Sequence, residues 1–176
     1  MHSALQLIYP SQCISCRELV EDDNALCGKC WAETRFISGL VCDKCGTPLP
    51  GQDHDEAVLC DDCLTTARPW SRGRAAMLYQ DNGRKLVLGL KHGDRLDLAK
   101  RTRSLDGLGR EARFQMLADS IAVNAKRRHR LIGRSILLVD DVMTSGATLA
   151  ACTEACLKAG AAEVCIVTLA RVAKDV

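Results

Sequence analysis

Two sets of residues in this 176-residue chain have the types and the spacing to do chemistry. The first is eight cysteines in four CxxC pairs: Cys13 with Cys16, Cys27 with Cys30, Cys42 with Cys45, and Cys60 with Cys63. Each pair places two thiolates on one tight turn, and two such turns complete a four-sulfur tetrahedron that suits zinc. Four pairs therefore predict two zinc ions. An all-cysteine ligand set leaves no open coordination position, so the role expected of both ions is structural. Neighbouring pairs are expected to share an ion, 13/16/27/30 and 42/45/60/63, with an interleaved pairing as the alternative. Free or disulfide-bonded cysteines are the bland reading, but four regular pairs with none left over argue against it.

The second set lies in ILLVDDVMTSGATL (136–149). An apolar strand over 135–139 delivers Asp140 and Asp141 to the sheet edge. Adjacent carboxylates there can accept hydrogen bonds from the two hydroxyls of a ribose and attract a divalent cation. Thr144, Ser145, Gly146, Ala147 and Thr148 then form a turn whose amides run into the N-terminus of the next helix. Backbone amides at a helix start, with hydroxyls beside them, suit a phosphate dianion.

The elements that must position these groups can be read from the apolar pattern. Residues 1–67 are short apolar pieces broken by the CxxC pairs, Gly, Pro and acidic runs, so metal knuckles must hold them together. A linker is expected over 65–73, where Pro69 and Gly73 interrupt any period. Beyond it, AAMLY (75–79) reads as a strand and NGRKLVLGLK (82–91) as a helix. A second helix is expected over 110–123, with Phe114, Leu117, Ala118 and Ile121 on one face. The strand at 135–139, the loop, a helix over ATLAACTEACLKAG ending at Gly160, and a strand at EVCIVTLA (163–170) make a right-handed βαβ unit. The functional loop sits at the carboxyl end of its first strand. The fold class is thus α/β, with a double zinc-ribbon module at 1–68 and a parallel-sheet domain at 69–176.

Charge divides the chain in the same place. Residues 1–70 carry 5 Lys and Arg against 11 Asp and Glu, whereas residues 71–176 carry 19 against 11. A basic second half suits a polyanion such as a phosphate ester. No run approaches the roughly 18 apolar residues of a membrane span, and the opening MHSALQLIYP does not read as a secretory signal. The cytoplasm is the default compartment, where paired cysteines are more often metal ligands than disulfides. Cys152, Cys156 and Cys165 sit among apolar neighbours and read as small hydrophobes. The basic run KRRHR (126–130) reads as a solvated loop, since no aromatic residues are interleaved to stack bases.

The 136–149 stretch resembles the 5-phosphoribosyl-1-pyrophosphate (PRPP) motif of type I phosphoribosyltransferases. The order of CxxC knuckles, YQDNGRKLVLGLKHGDRLDLA (79–99), VDDVMTSGATL (139–149) and EVCIVTLAR (163–171) resembles the ComF family of competence-associated proteins. That resemblance implies that Asp140 and Asp141 hold the ribose hydroxyls and that residues 144–148 hold the 5′-phosphate. It also implies that LKHGD (90–94) corresponds to the pyrophosphate loop, which makes Lys91, His92 and Gly93 candidate pyrophosphate contacts. For Lys91 and His92 a solvated helix end is the bland alternative. Magnesium would accompany PRPP.

The resemblance further implies a part in natural transformation, with single-stranded DNA and a competence helicase as partners. One segment of the family pattern is absent. Relatives carry a V-P-V-P strand and an Arg-rich RGFNQ stretch after the LKHGD region, whereas here Ala99 and Lys100 run straight into RTRSLDGLGREARF (101–114). The sheet is then expected to be incomplete, with unpaired edges that invite self-association into a homo-oligomer. Turnover as a transferase is left open. The rival expectation is a non-catalytic zinc-ribbon adaptor that binds single-stranded DNA or a helicase and keeps the pocket for a regulatory ligand.

Overall fold

The computed structural model describes residues 9–52, 56–93 and 121–173, with the side chains of 91–93 outside that set. In chain order the described elements are α1 (Gly28–Glu33), α2 (Asp61–Thr65), β1 (Arg72–Leu78), α3 (Asp81–Gly93), a 3-10 turn (Ala125–Arg130), β2 (Ser135–Met143), α4 (Ala147–Lys158) and β3 (Glu163–Arg171). Among the described residues the three strands form one parallel sheet in the order β1-β3-β2. β3 lies in the middle, with Leu138 of β2 opposite Ile166 and Ala75 of β1 opposite Thr168. The N-terminal zinc-ribbon module followed by this α/β sheet is the expected fold class.

The βαβ unit forms as its pattern predicts, apart from where β2 stops. That strand continues through Asp140 and Asp141 to Met143, so the two carboxylates lie inside the strand and not just beyond it. Pairing with β3 accounts for the extension, since Asp140 stands opposite Thr168, Val142 opposite Ala170 and Met143 opposite Arg171. Helix α4 closes with Gly160 at φ 101, and the Ala161 amide returns to the Cys156 carbonyl, as in a Schellman end. Helix α3 runs to Gly93, two residues past its predicted end. Of the helix expected over 110–123, residues 121–123 are irregular and the rest lies outside the described residues. No helix among the described residues is long and apolar enough to cross a membrane.

The ribbon module and the sheet share one core. Cys42, Cys45 and Cys63 are buried together with Trp70, Met143, Leu149, Ala150 and Ile166. A second cluster joins Met77, Val87 and Ala170 beneath α3. The ribbons also cover one edge of the sheet. The Ile37 amide donates to the Ala76 carbonyl, the Leu78 amide donates to the Arg35 carbonyl, and Phe36 pairs antiparallel with Met77. The β1 edge is therefore occupied by residues 35–37, whereas no strand among the described residues lies beyond β2. On β2, Leu137 and Val139 are 61% and 74% exposed.

Candidate metal centres and phosphate loop

The eight sulfurs fall into two groups of neighbours, Cys13/Cys16/Cys27/Cys30 and Cys42/Cys45/Cys60/Cys63, each with all sulfurs within 4.8 Å of one another. A tetrahedron of zinc–sulfur bonds of about 2.3 Å separates its sulfurs by about 3.8 Å. Cys16 and Cys27 Sγ are 3.6 Å apart, and Cys45 and Cys60 Sγ are 3.5 Å apart. The spacing fits two structural zinc ions held by sequential pairs.

Each site is built the same way, from one turn and one helix start. In the turn, the amide of the residue after the second cysteine donates back to the first: Arg17 to the Cys13 carbonyl, and Gly46 to the Cys42 carbonyl. Both residues have positive φ, 66° and 70°. Arg17 adopts this left-handed backbone although it carries a Cβ. At Gly46 a Cβ would come within 2.6 Å of the Ala75 nitrogen, so the passage of β1 demands glycine there. In the second half of each site, Cys27 and Cys60 precede α1 and α2, and Cys30 and Cys63 lie in their first turns.

Protons compete with a metal for these sulfurs. The Cys30 amide stabilises the Cys27 thiolate, but burial and the Cys16 thiol prevail and push Cys27 up to about 12. Burial also raises Cys30. In the second site burial raises Cys60 to about 11, and sharing of hydrogen bonds with Cys42 and Cys45 raises Cys63. One sulfur in each site moves the other way. Burial opposes the Cys13 thiolate, yet the amides of Cys16, Cys27 and Ser15 bring it down to about 6. Hydrogen bonds from Cys42 and Cys63 lower Cys45.

The loop after β2 is fixed from behind by two buried arginines. Arg171, at the end of β3, is 3% exposed. Its Nη1 donates to the Met143 carbonyl at 3.0 Å and to the Thr144 carbonyl at 2.6 Å. Arg68, 7% exposed, donates from Nη1 to the Ser145 carbonyl at 2.6 Å. In a trans peptide the carbonyl and the following N–H point in opposite directions. Anchoring carbonyls 143–145 on the arginines therefore turns the amides of Thr144, Ser145 and Gly146 away from them. Gly146, at φ 81, then starts α4. A Cβ on it would lie 2.8 Å from Met143 Cε, 3.0 Å from Arg68 Nη1 and 3.1 Å from the Trp70 ring.

Within that loop Thr144 and Thr148 are exposed, Ser145 is half-buried, and Gly146 and Ala147 are buried. The Ser145 hydroxyl accepts from the Ala147 amide at 3.4 Å. Asp140 and Asp141 are half-buried, and each receives the next amide: Asp141 N–H donates to Asp140 Oδ1 at 2.9 Å, and Val142 N–H to Asp141 Oδ1 at 2.6 Å. Lys91, His92 and Gly93 form the last residues of α3, and their side chains lie outside the described residues. The structure thus brings 140–148 together as one strand-to-helix corner.

Sequence reasoning assigned no role to Arg68, Trp70, Asn82 or Arg171. Asn82, at the start of α3, is 2% exposed. It donates from Nδ2 to the Cys30 carbonyl at 3.0 Å and to Thr34 Oγ1 at 2.9 Å, and accepts from the Ser15 hydroxyl. It docks the first metal site on α3. The available signal was a cation or amide standing where an apolar pattern begins or ends.

A zinc-ribbon module bound into a parallel α/β sheet, with a glycine-opened loop between strand and helix, defines the class. Against models of protein families, residues 4–70 match the double zinc ribbon domain and residues 84–176 match the phosphoribosyl transferase domain. The chain belongs to the phosphoribosyl transferase domain family, in the ComF-like arrangement that places a double zinc ribbon first. No curated protein and no solved structure matches it.

Proposed function

We propose that the corner formed by residues 140–148 binds the ribose 5-phosphate part of a PRPP-type ligand. The observation that carries this reading is the pair of buried arginines holding carbonyls 143–145, which presents the loop amides on the opposite side, at the start of α4. Preset amides at a helix N-terminus bind a phosphate dianion without reorganising. In this reading Thr144–Thr148 anchor the 5′-phosphate, and Asp140 and Asp141 orient the ribose hydroxyls. Lys91, His92 and Gly93, at the end of α3, take the pyrophosphate end with its magnesium. As a transferase the chain would act mainly by positioning and by electrostatic stabilisation of charge at the anomeric carbon. Calorimetry with ribose 5-phosphate and with PRPP plus magnesium tests the binding, and pyrophosphate release across candidate bases tests turnover.

A second reading is an adaptor in DNA uptake, in which the ribbons bind single-stranded DNA or a helicase and the pocket is regulatory. Its support is the exposed aromatic pair on the first ribbon, where Trp31 is 60% exposed and its ring centroid lies 4.5 Å from that of Phe36. Bases stack on such rings. Fluorescence anisotropy with labelled single-stranded DNA separates the two, because this reading requires binding that Trp31→Ala abolishes.

A further inference from the structure

Arg68 carries more than one contact needs. Its Nη1 holds the Ser145 carbonyl, and its guanidinium lies over the Trp70 ring at 5.6 Å from the centroid. Its Nε and Nη2 are buried without a hydrogen-bond partner. Leaving donors of a buried cation unpaired is costly, so they call for an acceptor. Trp70, beneath the guanidinium, shares its core cluster with Cys42, Cys45 and Cys63. A divalent ion held by four thiolates leaves a formal surplus of about two negative charges. A buried guanidinium with two unpartnered nitrogens is the complement of that surplus, and outer hydrogen bonds of this kind orient metal ligands.

We infer that Arg68 is the counter-ion of the metal held by Cys42, Cys45, Cys60 and Cys63 and, through the Ser145 carbonyl, the positioning residue of the 144–148 loop. The second ribbon is then a working part of the loop. Metal in that site fixes the guanidinium, the guanidinium fixes the Ser145–Gly146 peptide, and the loop amides are held ready for an anion. Linkage makes the coupling reciprocal, so a ligand on the loop tightens the second metal site and leaves the first unaffected. The ligand half of this statement rests on the proposed ribose 5-phosphate reading, whereas the metal-to-loop half does not.

Hydrogen–deuterium exchange on the full zinc-loaded chain reads the peptide spanning 140–150. Arg68→Met is expected to retain two zinc ions per chain and to speed exchange in that peptide about tenfold, the scale of one charge-assisted hydrogen bond. Arg68→Lys, which keeps the charge and a donor, recovers part of the protection. Cys63→Ser reproduces the acceleration, and Cys16→Ser, in the first site, does not. Unchanged exchange in Arg68→Met with both zinc ions retained overturns the inference, as does equal acceleration by Cys16→Ser. Should Arg68→Met fail to fold, chelator titration of the wild-type chain decides: the loop must loosen as the second zinc leaves, and a loop unmoved by its loss contradicts the linkage. Ribose 5-phosphate is the second probe, expected to slow release of the second zinc about tenfold. If it does not bind the wild-type chain, the ligand reading fails alone, and the exchange measurements still decide the role of Arg68.

Discussion

Lys44 and Trp70 hold each other twice. The Trp70 indole N–H donates to the Lys44 carbonyl, and the Lys44 ammonium donates to the Trp70 carbonyl at 2.7 Å. Lys44 sits inside a metal-binding turn and Trp70 just before β1, so this reciprocal pair welds the second ribbon to the sheet. Trp70 is 1% exposed and packs on Met143, Leu149 and Ile166. Trp70→Ala is expected to cost about 3–5 kcal/mol. Thermal melts with zinc release followed in parallel check it: the sheet and the second site should lose structure in one transition, and separate transitions would show that the ribbon is an independent module.

Gly73 makes the same point through the backbone. Its amide donates to the Asp43 carbonyl, and a Cβ on it would lie 2.3 Å from the Lys44 carbonyl oxygen. The Lys44 backbone cannot yield as a flexible side chain would, and the Ile166 side chain crowds the same Cβ at 2.9 Å. Gly73→Ala should therefore destabilise the chain by about 2 kcal/mol or more, within the range of overpacked cores. Urea melts measure this, with Gly89→Ala as the control, since nothing lies within 4 Å of a Cβ there. As a helix-interior glycine, Gly89 should gain slightly in stability.

The sequence made some of this legible and hid the rest for physical reasons. The cysteine sites were legible because each pair is local, four residues from end to end. The βαβ unit was legible because buried parallel strands are apolar on both faces and Gly160 marks a helix end. The join between the two halves was not legible, because the stretch read as a linker, 65–73, contains Arg68, Trp70 and Gly73, which pack the halves together. Their partners, Ser145, Lys44 and Asp43, are distant in sequence, and no local period reports such pairings. The end of β2 was missed because two acids resemble a strand terminus, whereas pairing with β3 carries the strand on to Met143.

Zinc uptake should release protons. Cys27 and Cys30 in the first site and Cys60 and Cys63 in the second are raised above the ordinary thiol value, so all four are protonated at neutral pH. Each must lose its proton to become a ligand. At least two protons per zinc are therefore expected at pH 7, and affinity should fall as pH falls, because added protons compete for the same sulfurs. Calorimetry of zinc binding in two buffers of different ionisation enthalpy counts them. Fewer than two per ion would mean that the sulfurs are already ionised by their surroundings.

The carboxylates and the loop should separate in binding. Asp140→Asn with Asp141→Asn removes charge beside a ribose but leaves carbonyls 143–145 on their arginines. The double variant is expected to weaken ribose 5-phosphate about tenfold or more while changing inorganic phosphate binding little. Equal losses for both ligands would show that the carboxylates only shape the corner, through the amides of Asp141 and Val142 that they receive.

The central claim is that the corner opened by Gly146 is a preset phosphate site. Isothermal titration of the zinc-loaded chain with ribose 5-phosphate, beside Gly146→Ala, tests it most directly. At φ 81 an alanine is strained, and its methyl would press on Met143, Arg68 and Trp70. One ligand per wild-type chain is expected, with a loss of affinity of about tenfold or more in the variant and both zinc ions retained. Equal affinity in the two proteins, or no binding to the wild type at millimolar ligand, would contradict it.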